Sequence, residues 1–158
     1  MRLAPMYVTR IEDKNGKELA SFMPISHEVV NEETAYKMLD MLRSVMDGGT
    51  GKRARHRYGF KAPAGGKTGT SQNNSDGWFV GFTPSIVCGG WVGGEDRSIH
   101  FDRTAIGQGA NTALPIWANF LKKVYADKEL GYEQNEKFDV PSWFDPNKKC
   151  IEENMDEY

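Results

Sequence analysis

Residues 64–70 read Ala-Gly-Gly-Lys-Thr-Gly-Thr, AGGKTGT. A lysine followed by a hydroxyl residue among glycines has two chemical readings: a loop that wraps a nucleotide phosphate, or a strand bordering an acyl-transfer site. A phosphate loop places a first glycine five positions before the Gly-Lys-Thr glycine, and it leads from a buried strand into a helix. Counting back from Gly66 reaches Lys61, and Gly59 lies two residues too far upstream. The preceding segment is a basic loop, and an aromatic strand follows. Spacing and context both reject the nucleotide reading.

The acyl-transfer reading fits. Alternation along a strand puts Lys67 and Gly69 on one side and Thr68 and Thr70 on the other. Lysine supplies positive potential for an anionic substrate and assists proton movement near a serine. Threonine hydroxyls hydrogen-bond a carboxylate. Glycine removes a side chain, so a substrate backbone can lie against the strand. A backbone N–H there can donate to a developing oxyanion. Lys-Thr-Gly on a strand is one of three elements of the serine acyl-transfer enzymes that bind or hydrolyse penicillins.

Working outward, MYVTRIED (6–13), Asn15-Gly16 and KELASFM (17–23) predict an N-terminal β-hairpin. Asn31 is an N-cap for a helix whose apolar face carries Ala35, Met38, Leu39, Leu42, Val45 and Met46, a stripe expected to be core. Gly48 and Gly49 end it. Residues 50–64 read as a basic loop with Lys52, Arg53, Arg55, Arg57 and Lys61, a solvated face or a local anion site. Three short strands follow: GGKTGTS (65–71), WFVGF (78–82) and IVCGGWVG (86–93). Short links make them antiparallel neighbours. Their glycines imply close approach by a ligand or by a helix lying across the sheet. Residues 94–111 read as polar loop, and a second helix spans about 112–126 with Pro115 in its first turn. Residues 127–158 read as a polar, acidic tail.

The bulk numbers agree with one domain. The 158 residues are 39% hydrophobic and 27% charged, with a formal net charge of −2, which does not favour nucleic acid as a partner. No apolar run approaches the roughly 20 residues that span a bilayer. Cys88, in an apolar run, reads as a buried free thiol, and Cys150 lies in the tail. His27, His56 and His100 form neither a triad nor a metal spacing.

With GTGKRAR (49–55), AGGKTGTSQNNSDGWFVGFTPSIVCGGWVGGED (64–96) and ALPIWANFL (113–121) on the page, the chain resembles the C-terminal part of the transpeptidase domain of bifunctional (class A) penicillin-binding proteins. The resemblance covers roughly residues 6–126 and takes in the opening YVTRIEDKNGKEL and the helix after it. It implies a transpeptidase portion over 1–126 and a tail over 127–158. It implies an α+β fold, part of the β-lactamase/transpeptidase-like fold: about three antiparallel strands plus the hairpin, flanked by two helices.

The resemblance also implies roles. Lys67 is the motif lysine, beside the catalytic serine. Thr68 and Thr70 bind the terminal carboxylate of a D-Ala-D-Ala stem peptide or of a β-lactam. The Thr70 N–H is half of the oxyanion hole, and Gly69 keeps the cleft open. Asp76, Trp78 and Phe79 match the start of the family's next strand and read as architecture. No metal or organic cofactor is implied. The intact enzyme would work in the cell envelope, outside the cytoplasmic membrane.

One departure is decisive. The family's nucleophile is a serine three residues before a lysine, and none of Ser21, Ser26, Ser44, Ser71, Ser75, Ser85, Ser98 or Ser142 has that lysine. Ser71-Gln72-Asn73 matches the family's Ser-x-Asn only formally, because it continues the Lys67 strand. The expectation is one wall of an active site: a fragment inactive alone, needing the N-terminal part of its domain, and prone to self-association. The competing reading is a stand-alone binding module that keeps the strand as an interaction surface.

Overall fold

The computed structural model describes residues 2–145, which divide into two compact units between Lys37 and Met38. Cys150 lies outside the described residues.

The first unit holds two small ladders. Strand β1 (Arg2–Leu3) pairs with β4 (Ser26–His27), and β2 (Arg10–Glu12) pairs with β3 (Glu18–Ser21), all antiparallel. The hairpin expected from Asn15-Gly16 is present but shorter than the alternation suggested. Asp13 accepts the amides of Asn15 at 2.8 Å and Lys17 at 3.0 Å, and Gly16 takes φ +82°. A side-chain turn of this kind closes the hairpin tip. The β1–β4 pair was not foreseen, because two-residue strands carry no periodicity.

Helix α1 (Glu32–Asp47) begins in the first unit and ends in the second. Asn31 caps it as expected, its side-chain oxygen accepting the Thr34 amide at 2.8 Å. The apolar stripe is only partly core. Met46 is fully buried, whereas Ala35 and Met38 are exposed. Periodicity identified the face but not how much of it is covered.

In the second unit, one helical turn, α2 (Arg53–His56), interrupts the basic segment that reads as loop. Strands β5 (Gly65–Thr70), β6 (Asp76–Phe82) and β7 (Val87–Gly93) form an antiparallel sheet in that order. The short α3 (Thr104–Gly107) interrupts the expected polar loop, and α4 (Ala113–Ala126) matches the second expected helix.

Helix α4 lies across one face of the sheet, and Met46 from the end of α1 joins the same core. Trp117 is the centre of it, edge-on to Phe79 at 5.1 Å and to Phe60 at 5.0 Å between ring centroids. The sheet glycines explain the close approach. A Cβ on Gly81 would come within 2.7 Å of the Trp117 ring, and one on Gly90 within 3.0 Å of the Ala113 carbonyl oxygen. The helix, not a ligand, is what those two glycines admit.

The opposite face carries Lys67, Trp78, Val80 and Trp91, and the last three remain nearly half exposed. At one end of it Phe138 stacks edge-on over Phe82 at 5.8 Å and is itself covered by the Arg43 guanidinium. The segment after α4 thus contributes packing at Phe138. Cys88 is a partly buried free thiol whose titration burial pushes up.

Candidate active-site strand

The site is built on β5, which is an edge strand among the described residues. Its register against β6 is continuous: Lys67 opposes Val80, Thr68 opposes Phe79, Gly69 opposes Trp78 and Thr70 opposes Gly77. Just beyond the strand, the Ser71 amide donates to the Asp76 carbonyl at 3.0 Å. Hydrogen-bonded pairs alternate along an antiparallel ladder. Positions 69 and 67 therefore bond to β6, while the N–H and C=O of Thr68 and Thr70 point away from it, toward the open edge. Lys67 confirms that geometry: its ammonium donates to the outward Thr68 carbonyl at 2.9 Å.

The side chains alternate as expected. Lys67 is exposed on the open face. Thr68 and Thr70 turn to the other side, where each hydroxyl is held by a different loop. The Thr68 and Thr50 hydroxyl oxygens lie 3.1 Å apart. The Gly109 amide donates to the Thr70 hydroxyl at 3.2 Å. Gly109 is able to do so because it has no side chain: a Cβ there would press on the Trp78 carbonyl oxygen and lie 2.7 Å from the Gly69 carbonyl oxygen. At Gly69 itself a Cβ would come within 3.2 Å of Trp78 Cβ.

Thr50 and Gly109 are the two residues of this constellation that sequence reasoning passed over. Their signals were present, as Gly49-Thr50-Gly51 and Gly107-Gln108-Gly109. They became legible only when the fold brought both loops to one strand.

The turn after β5 is architecture. Asn73 and Asn74 take φ of 58° and 55°, a conformation asparagine tolerates better than most residues. Asp76 anchors the turn, accepting from Trp91 Nε1 at 3.0 Å and from the Ser71 hydroxyl at 2.8 Å. The Trp91 bond, with those from Ser71 and Ser75, holds its carboxyl below the usual carboxylate range. Ser71 and Ser75 are both committed to this network, their hydroxyls 2.9 Å apart.

An edge strand that offers an ammonium, two threonine hydroxyls and two outward amides can hold an extended peptide ending in a carboxylate. Comparison with known proteins gives the family. The model of the penicillin binding protein transpeptidase domain matches residues 1–87, a span that includes Lys67 to Thr70. The chain belongs to that family. It is 36% identical over 140 residues to Penicillin-binding protein 1A of Aquifex aeolicus, covering 87% of this chain and 17% of the relative. It is 33% identical over 150 residues to Penicillin-binding protein 1A of Rickettsia conorii, covering 80% of this chain and 18% of that protein. The chain thus spans less than a fifth of the length of these two relatives. The fold is similar to the crystal structure of Penicillin-Binding Protein 1A from Haemophilus influenzae, with a TM-score of 0.68 at 24% identity, over 89% of this chain and 25% of that one.

Among the described residues, no helix is long and apolar enough to cross a membrane.

Proposed function

We propose that this chain supplies the substrate-gripping strand of a peptidoglycan D,D-transpeptidase and lacks that enzyme's nucleophile. In the intact enzyme a serine hydroxyl attacks the carbonyl of the penultimate D-Ala of a stem peptide. The serine ester forms, the D-Ala–D-Ala amide bond breaks, and D-Ala leaves carrying the serine's proton. An amine from a neighbouring strand then attacks the ester, the cross-linking amide forms, and the serine is released with its proton restored.

In this reaction Lys67 supplies positive potential beside the serine and assists the proton's movement. The Thr68 and Thr70 hydroxyls hold the terminal carboxylate of the stem peptide, or of a β-lactam. The outward Thr70 amide donates to the developing oxyanion, where one such donor contributes about 3–4 kcal/mol of transition-state stabilisation. Gly69 leaves room for the substrate backbone. The enzyme acts in the cell envelope, outside the cytoplasmic membrane, and the serine comes from another part of the same domain.

The observation that carries this reading is the ladder phase at Thr70. One residue earlier or later, the amide would be spent on β6 and the strand could not receive a substrate. The test uses the longer protein that includes the Ser-x-x-Lys segment, labelled with a fluorescent penicillin. Lys67→Met is expected to slow covalent labelling by about two orders of magnitude. Labelling at the parent rate would refute the role of β5.

A further inference from the structure

We propose that the cavity between α2 and α3 is an anion site for a carboxylate-bearing peptide, read by Arg53 and Arg57. The cavity has a volume of about 500 Å³, and both arginines line it together with Tyr58, Ala105, Ile106 and Asn111. It uses none of Lys67, Thr68, Gly69 or Thr70 and does not depend on the acyl-transfer reading.

The three arginines of GKRARHR have different fates. Arg55 is a structural residue. Its guanidinium donates to the carbonyls of Phe60 and Ala62, lies 3.5 Å from Asp47 and sits over the Phe60 ring. Arg53 and Arg57 face the cavity instead. Among the described residues, neither has a carboxylate within ion-pair distance. Arg57 lies 6.0 Å from the centroid of the neighbouring Tyr58 ring, which orients it without neutralising it.

Positions 53 and 57 are one helical turn apart, and two like charges so placed repel each other. Their repulsion is relieved by an anion between them, and guanidinium forks match an oxyanion bidentately.

The remaining lining selects among oxyanions. Ile106 and Ala105 give the cavity an apolar wall, and Ile106 is more than half exposed there. A bare inorganic ion gains nothing from that wall. The aliphatic part of an acidic side chain does, and the volume admits more than one residue. Asn111, whose amide donates to the Ala105 carbonyl, holds α3 against the start of α4 and keeps the wall in place.

The test titrates the 158-residue chain with tri-L-glutamate at low salt, following arginine side-chain and backbone amide resonances. Saturable shifts confined to 53–58 and 105–111 are expected. Arg53→Gln/Arg57→Gln is expected to weaken binding by about tenfold or more. Lys61→Gln, which also removes a charge from this segment, should change it by less than about twofold. Inorganic phosphate should compete only at higher concentration than the peptide. Thermal unfolding of the double variant should occur close to or above the parent's temperature, since no internal ion pair is lost. Absence of saturable binding overturns the proposal, as does equal weakening by Lys61→Gln, which would mean diffuse attraction. Phosphate competing at lower concentration than the peptide replaces it with a phosphate site. A marked fall in unfolding temperature means the two arginines are structural, and it too overturns the proposal.

Discussion

The hydroxyl oxygens of Thr50 and Thr68 lie 3.1 Å apart, joining the loop that follows α1 to the middle of β5. Thr68 has two jobs in the proposed site: its hydroxyl meets a carboxylate and its backbone runs along the open edge. A hydrogen bond between the two hydroxyls restrains the Thr68 side chain. In the intact enzyme proposed above, Thr50→Val is expected to slow penicillin acylation by roughly two- to tenfold, the worth of one hydrogen bond, and Thr50→Ser to retain the parent rate. Stopped-flow acylation kinetics on both variants give the answer, and equal rates for Val and parent would remove Thr50 from the site.

Gly109 holds Thr70 from the other loop. A methyl group there meets the Trp78 and Gly69 carbonyl oxygens, both backbone atoms that cannot swing away. Gly109→Ala should destabilise this chain by about 1–3 kcal/mol, the usual cost of overpacking. Urea unfolding at neutral pH measures it.

Trp117 ties α4 to the sheet through Phe79 and to the basic segment through Phe60. Trp117→Ala should cost about 3–5 kcal/mol. For a small unit this is a large share of its stability, so loss of a cooperative thermal transition is the expected outcome. A sharp transition near the parent temperature would show that the core is organised otherwise.

Asp76 gives a pH signature. Its carboxyl is held below its ordinary value of 3.8, chiefly by the Trp91 bond. A depressed carboxylate contributes stability that is present above the unfolded-state pKa and is lost as pH falls through the folded-state one. Asp76→Ala should therefore be less stable than the parent at pH 6, and the gap should narrow below about pH 4. Chemical denaturation across pH 2.5–7 (roughly the window set by that ordinary carboxylate value) traces the difference.

The sheet face bearing Trp78, Val80 and Trp91 makes a prediction for this chain in isolation. Such a patch favours association. The chain should bind a hydrophobic dye and sediment above its monomer mass, and Val80→Lys should reduce both. A monodisperse, dye-silent parent would contradict this.

Much of this molecule was legible in its sequence. The glycine-rich strands, the hairpin turn, the Asn31 cap and the α4 apolar face each rest on a local rule, and each appears. Lys67 to Thr70 were legible because a strand's alternation fixes which side chains share a side. The phase of the ladder was not, since it depends on which residue of β6 pairs with Ser71. Thr50 and Gly109 were hidden for the same reason: their partners lie 18 and 39 residues away. Exposure was the other blind spot. Met38 fits an apolar stripe as well as Met46 does, yet only Met46 is covered. The short turns α2 and α3 escaped because four residues carry no helical period.

The central claim is that Lys67 to Thr70 form one wall of an acyl-transfer site whose nucleophile this chain does not carry. Intact mass after incubation with excess benzylpenicillin tests it most directly. The account predicts an unmodified mass. One equivalent of covalent adduct on a single serine of this chain would contradict it, and would make the short chain a penicillin-binding unit in its own right.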